Sequence, residues 1–125
     1  MEKKVSLLVV DDDPNMLDSL SEVLDMEGFE VRTAASAAAA VQQAQGAAPD
    51  MLLTDFQLPD ASGFELASRM NKLLPCMPML LLTGRTLSPQ EKEAGRACGV
   101  CEFVVKPFDM PALVALLRTL APKEK

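Results

Sequence analysis

The chain of 125 residues contains no histidine, no tryptophan and no tyrosine, and it has only three cysteines. Without histidine, three cysteines do not complete a four-ligand zinc site, and their odd number argues against a secreted disulfide framework. The longest apolar runs fall far short of the roughly 20 residues that a membrane span needs, and no export signal opens the chain. We therefore expect one domain, residues 1–125, that is soluble in the reducing cytoplasm.

Positive charge is also scarce. Twelve Lys and Arg residues stand against eighteen Asp and Glu residues, which gives a formal net charge of −6. A surplus of negative charge repels nucleic acids and anionic membrane surfaces. We therefore expect neither direct binding to nucleic acid nor association with a membrane.

Short apolar runs alternate along the chain with amphipathic segments of helical length. The predicted strands are Val5 to Asp11, Glu30 to Ala34, Met51 to Thr54, Met77 to Thr83 and Glu102 to Val105. The predicted helix caps are Asp13, Ser36, Ser88 and Asp109, and the third helix runs from Phe64 to Leu73. Five β–α units predict an α/β fold with a parallel sheet and helices on both faces. The natural arrangement is the doubly wound, flavodoxin-like sheet with five helices and strand order 2-1-3-4-5.

The fourth predicted helix differs from the others because it carries few apolar residues. Its sequence, QEKEAGRAC, offers mainly Ala94, Ala97 and Cys98 for packing. We therefore expect it to be held less firmly than its neighbours.

Polar side chains follow four of the five strands at the edge where ligands bind in such sheets. They are Asp11 and Asp12, Asp55, Thr83 and Lys106. Each one alone is common as a cap, a turn residue or a solvated side chain, but the fold brings all of them to one crevice. Clustered carboxylates need a cation, and an all-oxygen site suits Mg²⁺, which Asp11 and Asp12 would hold. Asp55 could then act as a carboxylate nucleophile for a phosphoryl group, whose oxygens Thr83 and Lys106 would contact.

Four segments, VVDDD, TDFQLPDASGFE, LLLTG and FVVKPF, resemble the receiver domains of two-component response regulators, the CheY-like family. The resemblance extends over the whole chain. It implies that Asp55 is the phosphoacceptor, that Asp11 and Asp12 hold Mg²⁺, with Mn²⁺ as an alternative, and that a histidine kinase or histidine phosphotransfer protein supplies the phosphoryl group. It further implies a signalling domain that assists its own phosphorylation and dephosphorylation rather than an enzyme.

The same resemblance assigns roles to further residues. Gln57 would bind the metal through its backbone carbonyl, Thr83 and Phe103 would be the switch residues, and the bond before Pro107 would be cis. Gln57 and Arg85 stand where side chains vary in the family and would tune the lifetime of the phosphate. We expect Arg85→Ala to shorten that lifetime by about tenfold.

The resemblance also implies an output surface formed by helix 4, strand 5 and helix 5. A downstream target or a homodimer partner would bind there, and the sequence identifies neither. Only Ala121 to Lys125 follow the last predicted helix, so no output domain is visible in the sequence.

Three other interpretations compete with the receiver. Asp11 and Asp13 imitate the Asp-x-Asp of haloacid-dehalogenase phosphatases, but the chain is short for that fold and Pro14-Asn15 departs from its motif. Cys98-Gly-Val-Cys101 is a C-x-x-C motif, but it spans a helix end and a strand start instead of a helix start, which favours a packing role. A receiver-like module that binds partners without phosphorylation is disfavoured because every phosphorylation residue is present.

Overall fold

The computed structural model describes residues 4–122, in which strands and helices alternate strictly. The strands are β1 (Ser6–Val10), β2 (Glu30–Ala34), β3 (Met51–Asp55), β4 (Met79–Thr83) and β5 (Glu102–Val105). The helices are α1 (Pro14–Met26), α2 (Ala37–Gly46), α3 (Gly63–Leu73), α4 (Pro89–Ala97) and α5 (Met110–Leu120). All strand pairs are parallel and the order is β2-β1-β3-β4-β5. The predicted flavodoxin-like arrangement is confirmed.

The strand boundaries differ from the prediction by one or two residues. The fourth strand begins at Met79 instead of Met77. Pro78 has no N–H to donate to a neighbouring strand, and the Met77 N–H donates to the Leu74 carbonyl in the preceding turn. The third strand extends one residue further than predicted and includes Asp55.

The helices begin where short polar side chains accept backbone N–H groups. Asp13, Ser36, Ser88 and Asp109 are N-caps as predicted. Ser62 is a further N-cap and forms a capping box with Glu65. At the other end of α1, Gly28 has a φ of 98°, a left-handed conformation that glycine adopts readily.

Two apolar cores lie on the two faces of the sheet. Alternate residues of β1 point into different cores. Leu8 and Val10 pack with α2 and α3, whereas Leu7 and Val9 pack with α1 and α5. The central strands β1, β3 and β4 are buried almost throughout. This burial on both faces fixes their carboxyl ends, which carry the candidate functional residues. None of the helices within residues 4–122 is both long and apolar enough to cross a lipid bilayer.

The fourth helix packs differently from the prediction. Ala94 and Ala97 are exposed and Cys98 is half-buried, while Gly95 is the buried residue of α4. A Cβ atom on Gly95 would lie 2.7 Å from the nearest ring atom of Phe103 and 2.9 Å from that of Phe64. The missing side chain lets the helix backbone approach both rings, so the helix turns its glycine inward and its alanines outward. The expected scarcity of buried anchors in α4 is confirmed, but their predicted identity is wrong for both alanines.

Candidate functional site

Four strand ends bring the candidate residues to one edge of the sheet. Asp55 is the last residue of β3 and Thr83 the last of β4, while Asp11 follows β1 directly and Lys106 follows β5. The strands β1 and β3 are neighbours although β2 comes between them in sequence. The site therefore lies at the point where the strand order reverses, which is where ligands bind in open parallel sheets.

Lys106 connects the two central carboxylates. Its Nζ atom lies 3.3 Å from Asp11 Oδ2 and 3.4 Å from Asp55 Oδ1. Asp11 is only 1% exposed, and its Oδ1 atom accepts the Asp13 N–H at 3.0 Å. Asp55 Oδ1 accepts the Phe56 N–H at 2.9 Å. These bonds hold both carboxylates and the ammonium in fixed relative positions.

The charges at this site shift the proton affinities of its members. The pKa of Asp55 lies above its ordinary value, mainly because the carboxyl group is partly buried. The Lys106 ammonium lowers this pKa and the Asp11 carboxylate raises it, but burial has the largest effect. Burial lowers the pKa of Lys106, but the carboxylates of Asp11 and Asp55 outweigh burial and hold that pKa above its ordinary value. Lys106 is therefore a permanent cation at neutral pH, and it faces an excess of carboxylate charge.

The donor set matches a hard divalent cation. One carboxylate oxygen from each of Asp11, Asp12 and Asp55 lies within 4.8 Å of the others. Asp11 is buried, Asp55 is half-buried and Asp12 is exposed, so the cluster opens to solvent on the Asp12 side. Oxygen donors at an open site suit Mg²⁺, which retains several of its waters. The three residues thus fit the ion that the sequence predicted.

Thr83 directs its hydroxyl into the β4–α4 loop. The hydroxyl donates to the Arg85 carbonyl at 3.0 Å and accepts the Arg85 N–H at 3.3 Å. The residue is buried beside the site, because β4 pairs with β3 through Asp55 and Leu82. Its hydroxyl is therefore held by its own loop in this structure.

The guanidinium of Arg85 binds the helix that follows this loop. Its NH1 and NH2 atoms lie 3.0 Å and 2.6 Å from the two carboxylate oxygens of Glu91, which also accepts the Ser88 N–H as part of a capping box. The hydrogen bonds from Arg85 lower the pKa of Glu91 to about 2. In this structure the Arg85 guanidinium is therefore paired with the first turn of α4.

Phe103 lies on β5 with its ring between the sheet and α4. The ring is half-buried, packs against the backbone of Gly95 and has the Arg96 guanidinium carbon 5.7 Å from its centroid. The Lys106–Pro107 peptide bond, at the end of the same strand, is cis. The strand that leads to Lys106 thus packs against α4 through the Phe103 ring.

The loop after β3 contains one residue, Asp60, whose role the sequence did not indicate. Gln57 is exposed and forms an isolated antiparallel bridge with Ser62. Asp60 lies between these two residues and accepts backbone N–H groups from α2. Its partners, Ala37 and Ala38, lie more than 20 residues away in sequence. No local pattern could have indicated this contact.

The competing motifs do not form sites of their own in residues 4–122. Asp13 accepts the Asn15 N–H as the N-cap of α1, which is a structural role. Cys98 caps the end of α4 and packs against the core, but Cys101 is exposed, so the expected packing role is wrong for Cys101. Both cysteines, like Cys76, are free thiols.

Several known proteins resemble this chain in sequence. The family model described as the response regulator receiver domain matches residues 7–118. The probable transcriptional regulatory protein TcrX of Mycobacterium tuberculosis is 34% identical over 116 residues, which are 93% of this chain and 49% of that protein. The transcriptional regulatory protein CreB of Escherichia coli is 32% identical over 98% of this chain and 53% of that protein. The chain thus spans about half the length of the curated relatives it matches.

Solved structures agree with the sequence comparisons. The chemotaxis protein CheY4 of Vibrio cholerae has a TM-score of 0.87 and 34% identity, over 94% of this chain and 99% of that one. The non-phosphorylated HemR receiver domain of Leptospira biflexa has a TM-score of 0.86 and 31% identity, over 98% of both chains. The sequence match, the fold and the cluster of acidic residues lead to the same conclusion. This chain belongs to the response regulator receiver domains, the signalling domains of two-component systems.

Proposed function

We propose that this receiver domain accepts a phosphoryl group on Asp55 from a histidine kinase or a histidine phosphotransfer protein. The observation that carries the proposal is the pair of contacts from Lys106 Nζ, at 3.3 Å to Asp11 and 3.4 Å to Asp55, beside a cluster of three carboxylates. A carboxylate nucleophile, a fixed cation and a cluster of metal-binding oxygens are the components that phosphoryl transfer requires.

The carboxylates of Asp11, Asp12 and Asp55, together with the Gln57 backbone carbonyl, would hold Mg²⁺ or Mn²⁺. When bound, the ion would offset the carboxylate charge and bind phosphoryl oxygens. The three carboxylates support this assignment because they converge within 4.8 Å and remain open to solvent.

The transfer itself depends on Asp55 and Lys106. A carboxylate oxygen of Asp55 attacks the phosphorus, and an O–P bond forms as the P–N bond to the donor imidazole breaks. The electron pair of that bond leaves with the donor nitrogen. Lys106, already beside Asp55 Oδ1, then faces the oxygens of the transferred group and stabilises their charge. The domain thereby assists its own phosphorylation. Water attack on the same phosphorus would break the O–P bond to Asp55, restore the carboxylate and release inorganic phosphate.

The phosphorylated state would change the surface formed by α4, β5 and α5. The Thr83 hydroxyl would leave Arg85 and bind the phosphoryl group, Phe103 would turn inward, and α4 would shift with them. Two features support this route: within residues 4–122 the Thr83 hydroxyl bonds to its own loop, and Gly95 is the buried residue of α4. A downstream target, an output domain or a second copy of the chain would bind the changed surface.

The matched relatives point to the kind of output. CreB is described as a transcriptional regulatory protein and TcrX as a probable one, and about half of each lies outside the match. We propose that this receiver likewise controls an effector, on the same chain or on another. Three free thiols support the cytoplasmic location expected from the sequence.

The phosphate lifetime would depend on Gln57 and Arg85. A guanidinium that leaves Glu91 for the phosphoryl oxygens would crowd out the attacking water. Loss of label from wild type and Arg85→Ala, followed over time, tests this role, with a lifetime about tenfold shorter expected in the variant. Equal lifetimes would show that Arg85 stays with Glu91.

Acetyl phosphate with Mg²⁺ tests the phosphoacceptor assignment directly. We expect mass mapping to locate one acyl phosphate on Asp55, Asp55→Asn to take none, and Asp12→Ala to lose Mg²⁺ binding in calorimetric titration. Label on Asp11 would favour phosphatase-like chemistry, and no label in folded wild type would favour a module that acts without phosphorylation.

Beryllofluoride, a mimic of the phosphoryl group, tests the output surface. We expect its changes in amide hydrogen exchange to concentrate in residues 83–106. Changes confined to α2 would contradict the proposed route.

A further inference from the structure

The segment after β3 folds into a small hairpin. The Leu58 N–H donates to the Ala61 carbonyl at 3.1 Å, and Gln57 bridges Ser62 just below this turn. Gln57 therefore lies in one arm of the hairpin, two residues after Asp55.

The base of this hairpin packs closely against the end of the sheet. A Cβ atom on Gly63 would lie 2.6 Å from a Leu81 side-chain carbon and 2.7 Å from the Asp55 carbonyl oxygen. The backbone of the returning arm therefore touches the strand end that carries Asp55. Only glycine allows this approach without displacing one of the two.

The tip of the hairpin is attached to a different helix. Asp60 Oδ1 accepts the Ala37 N–H and Asp60 Oδ2 accepts the Ala38 N–H, both at 2.9 Å. These donors belong to the first turn of α2 and have no partner within that helix. Ser36 accepts the next N–H, that of Ala39, at 3.1 Å. One carboxylate thus bonds two amides, and both its oxygens are fixed in direction.

The same bonds act on the charge of Asp60. The amides of Ala37 and Ala38 hold the pKa of Asp60 below its ordinary value. Asp60 therefore stays ionised at the pH values at which the protein would work, and it remains a charged acceptor for these two amides.

We propose that Asp60 is a positioning residue for the metal site: by attaching the hairpin tip to α2, it sets the direction of the Gln57 carbonyl. This inference rests on the proposed function, in which that carbonyl binds Mg²⁺. A segment fixed at its base by Gly63 and at its tip by Asp60 leaves the carbonyl between them little freedom. An oriented ligand binds more tightly than one that must first be ordered.

The attachment also couples the ion to α2. If Asp60 improves Mg²⁺ binding by holding the hairpin, Mg²⁺ must in return strengthen the hold of Asp60 on α2, because coupling between two sites is reciprocal. Mg²⁺ should then slow hydrogen exchange at the amides of Ala37 and Ala38 in the wild type. The same ion should leave those amides unchanged in Asp60→Ala.

Calorimetric titration with Mg²⁺ alone tests the proposal on four variants. Asp60→Ala should bind about tenfold more weakly than wild type, the low end of the effect of residues that orient metal ligands. Asp60→Asn should lose less, because its amide oxygen still accepts one N–H. Ser36→Ala removes the other cap of α2 but leaves the hairpin attached, so its affinity should match wild type. Asp18→Asn, which removes an exposed charge on α1, should also match wild type.

Ionic strength separates positioning from simple loss of charge. A positioning effect persists in high salt, whereas a long-range electrostatic effect is screened. The proposal is overturned if Asp60→Ala binds Mg²⁺ within twofold of wild type, or if its deficit disappears in high salt. It is also overturned if Ser36→Ala weakens binding as much as Asp60→Ala, since α2 stability alone would then explain the result. Failure of wild type to bind Mg²⁺ or to accept phosphate would instead overturn the proposed function.

Discussion

Helices α3 and α4 begin in the same way and are held in different ways. Ser62 accepts the Glu65 N–H at 3.1 Å, and Ser88 accepts the Glu91 N–H at 3.1 Å. Each glutamate in turn accepts the N–H of its serine, so both helices start with a complete capping box. Their local signals are therefore equivalent.

The two helices differ in what they bury. The third helix buries Gly63, Leu66, Ala67 and Met70, whereas the fourth buries Gly95. A capping box determines where a helix begins, but the apolar surface it buries determines how firmly it is held. The firmly held helix follows the proposed phosphoacceptor, and the weakly held one follows the proposed switch threonine. The molecule thus places its better-anchored helix after Asp55 and its less anchored helix after Thr83.

The largest effect should come from removing a buried side chain of α3. Leu66 is fully buried, and Leu66→Ala should lower the free energy of unfolding by about 2–5 kcal/mol, because it leaves a cavity. At the exposed position 94 of α4, Ala94→Gly should cost only about 0.5–1 kcal/mol, the intrinsic helix preference. Urea denaturation followed by circular dichroism measures both. Similar losses would contradict the difference in anchorage.

A smaller effect should come from adding a methyl group where α4 touches the sheet. Gly95→Ala would place a Cβ atom against the rings of Phe103 and Phe64, and we expect a loss of about 1–3 kcal/mol from overpacking. Hydrogen exchange should accelerate mainly in α4, because that helix can move away. Gly46→Ala is the matched control, since a Cβ atom there meets nothing within 4 Å. If both variants behaved alike, the contact of Gly95 with the rings would not hold α4.

Removing the capping serine should affect the two helices in different ways. Ser62→Ala and Ser88→Ala should each cost about 1 kcal/mol in their own helix. In α4 the loss should appear as faster hydrogen exchange limited to residues 89–97, because that helix opens on its own. In α3 it should appear as a lower global stability, since α3 opens only when the core does. Identical exchange patterns would show that both helices belong to one cooperative unit.

The smallest effect concerns the pH dependence of stability, which should depend on Asp55 before α3 but not on Thr83 before α4. The raised pKa of Asp55 means that the folded state holds this proton more tightly than the unfolded chain does. Without metal, stability should therefore fall as the pH rises from the ordinary value of 3.8 through the raised pKa. Asp55→Asn should remove that decline, whereas Thr83→Ala should keep it. Denaturant melts across this pH range in a chelating buffer measure the difference, and an unchanged slope in Asp55→Asn would contradict it.

Much of this architecture follows from local patterns in the sequence. Strand and helix order, most helix caps and the sheet order arise from periodicity, capping residues and the rule for parallel crossovers. Once the sheet order is known, the convergence of Asp11, Asp55 and Lys106 follows because the carboxyl ends of parallel strands share one edge. The site was therefore predictable in outline although Lys106 lies 95 residues from Asp11.

The features that escaped prediction depend on side-chain directions in three dimensions. The bond of Asp60 to α2 joins segments with no shared pattern, and the pairing of Arg85 with Glu91 depends on how the β4–α4 loop turns. The prediction for α4 was wrong because it placed the more apolar alanines inward. The rings of Phe103 and Phe64 leave space only for Gly95, which has no side chain. The hydrophobic pattern of a sequence does not show how much space the neighbouring side chains leave.

The separation of Lys106 from Asp11 has a consequence for newly made chains. Asp11, Asp12 and Asp55 leave the ribosome well before Lys106, because synthesis runs from the amino end. Their carboxylates can gather once β1 and β3 pair, but the ammonium arrives only when β5 docks beside β4. A long-range contact of this kind forms late, since the cost of closing so large a loop must be met first. An incompletely folded receiver would therefore lack the cation of the proposed phosphoryl transfer, and only fully folded molecules could accept the phosphoryl group as proposed.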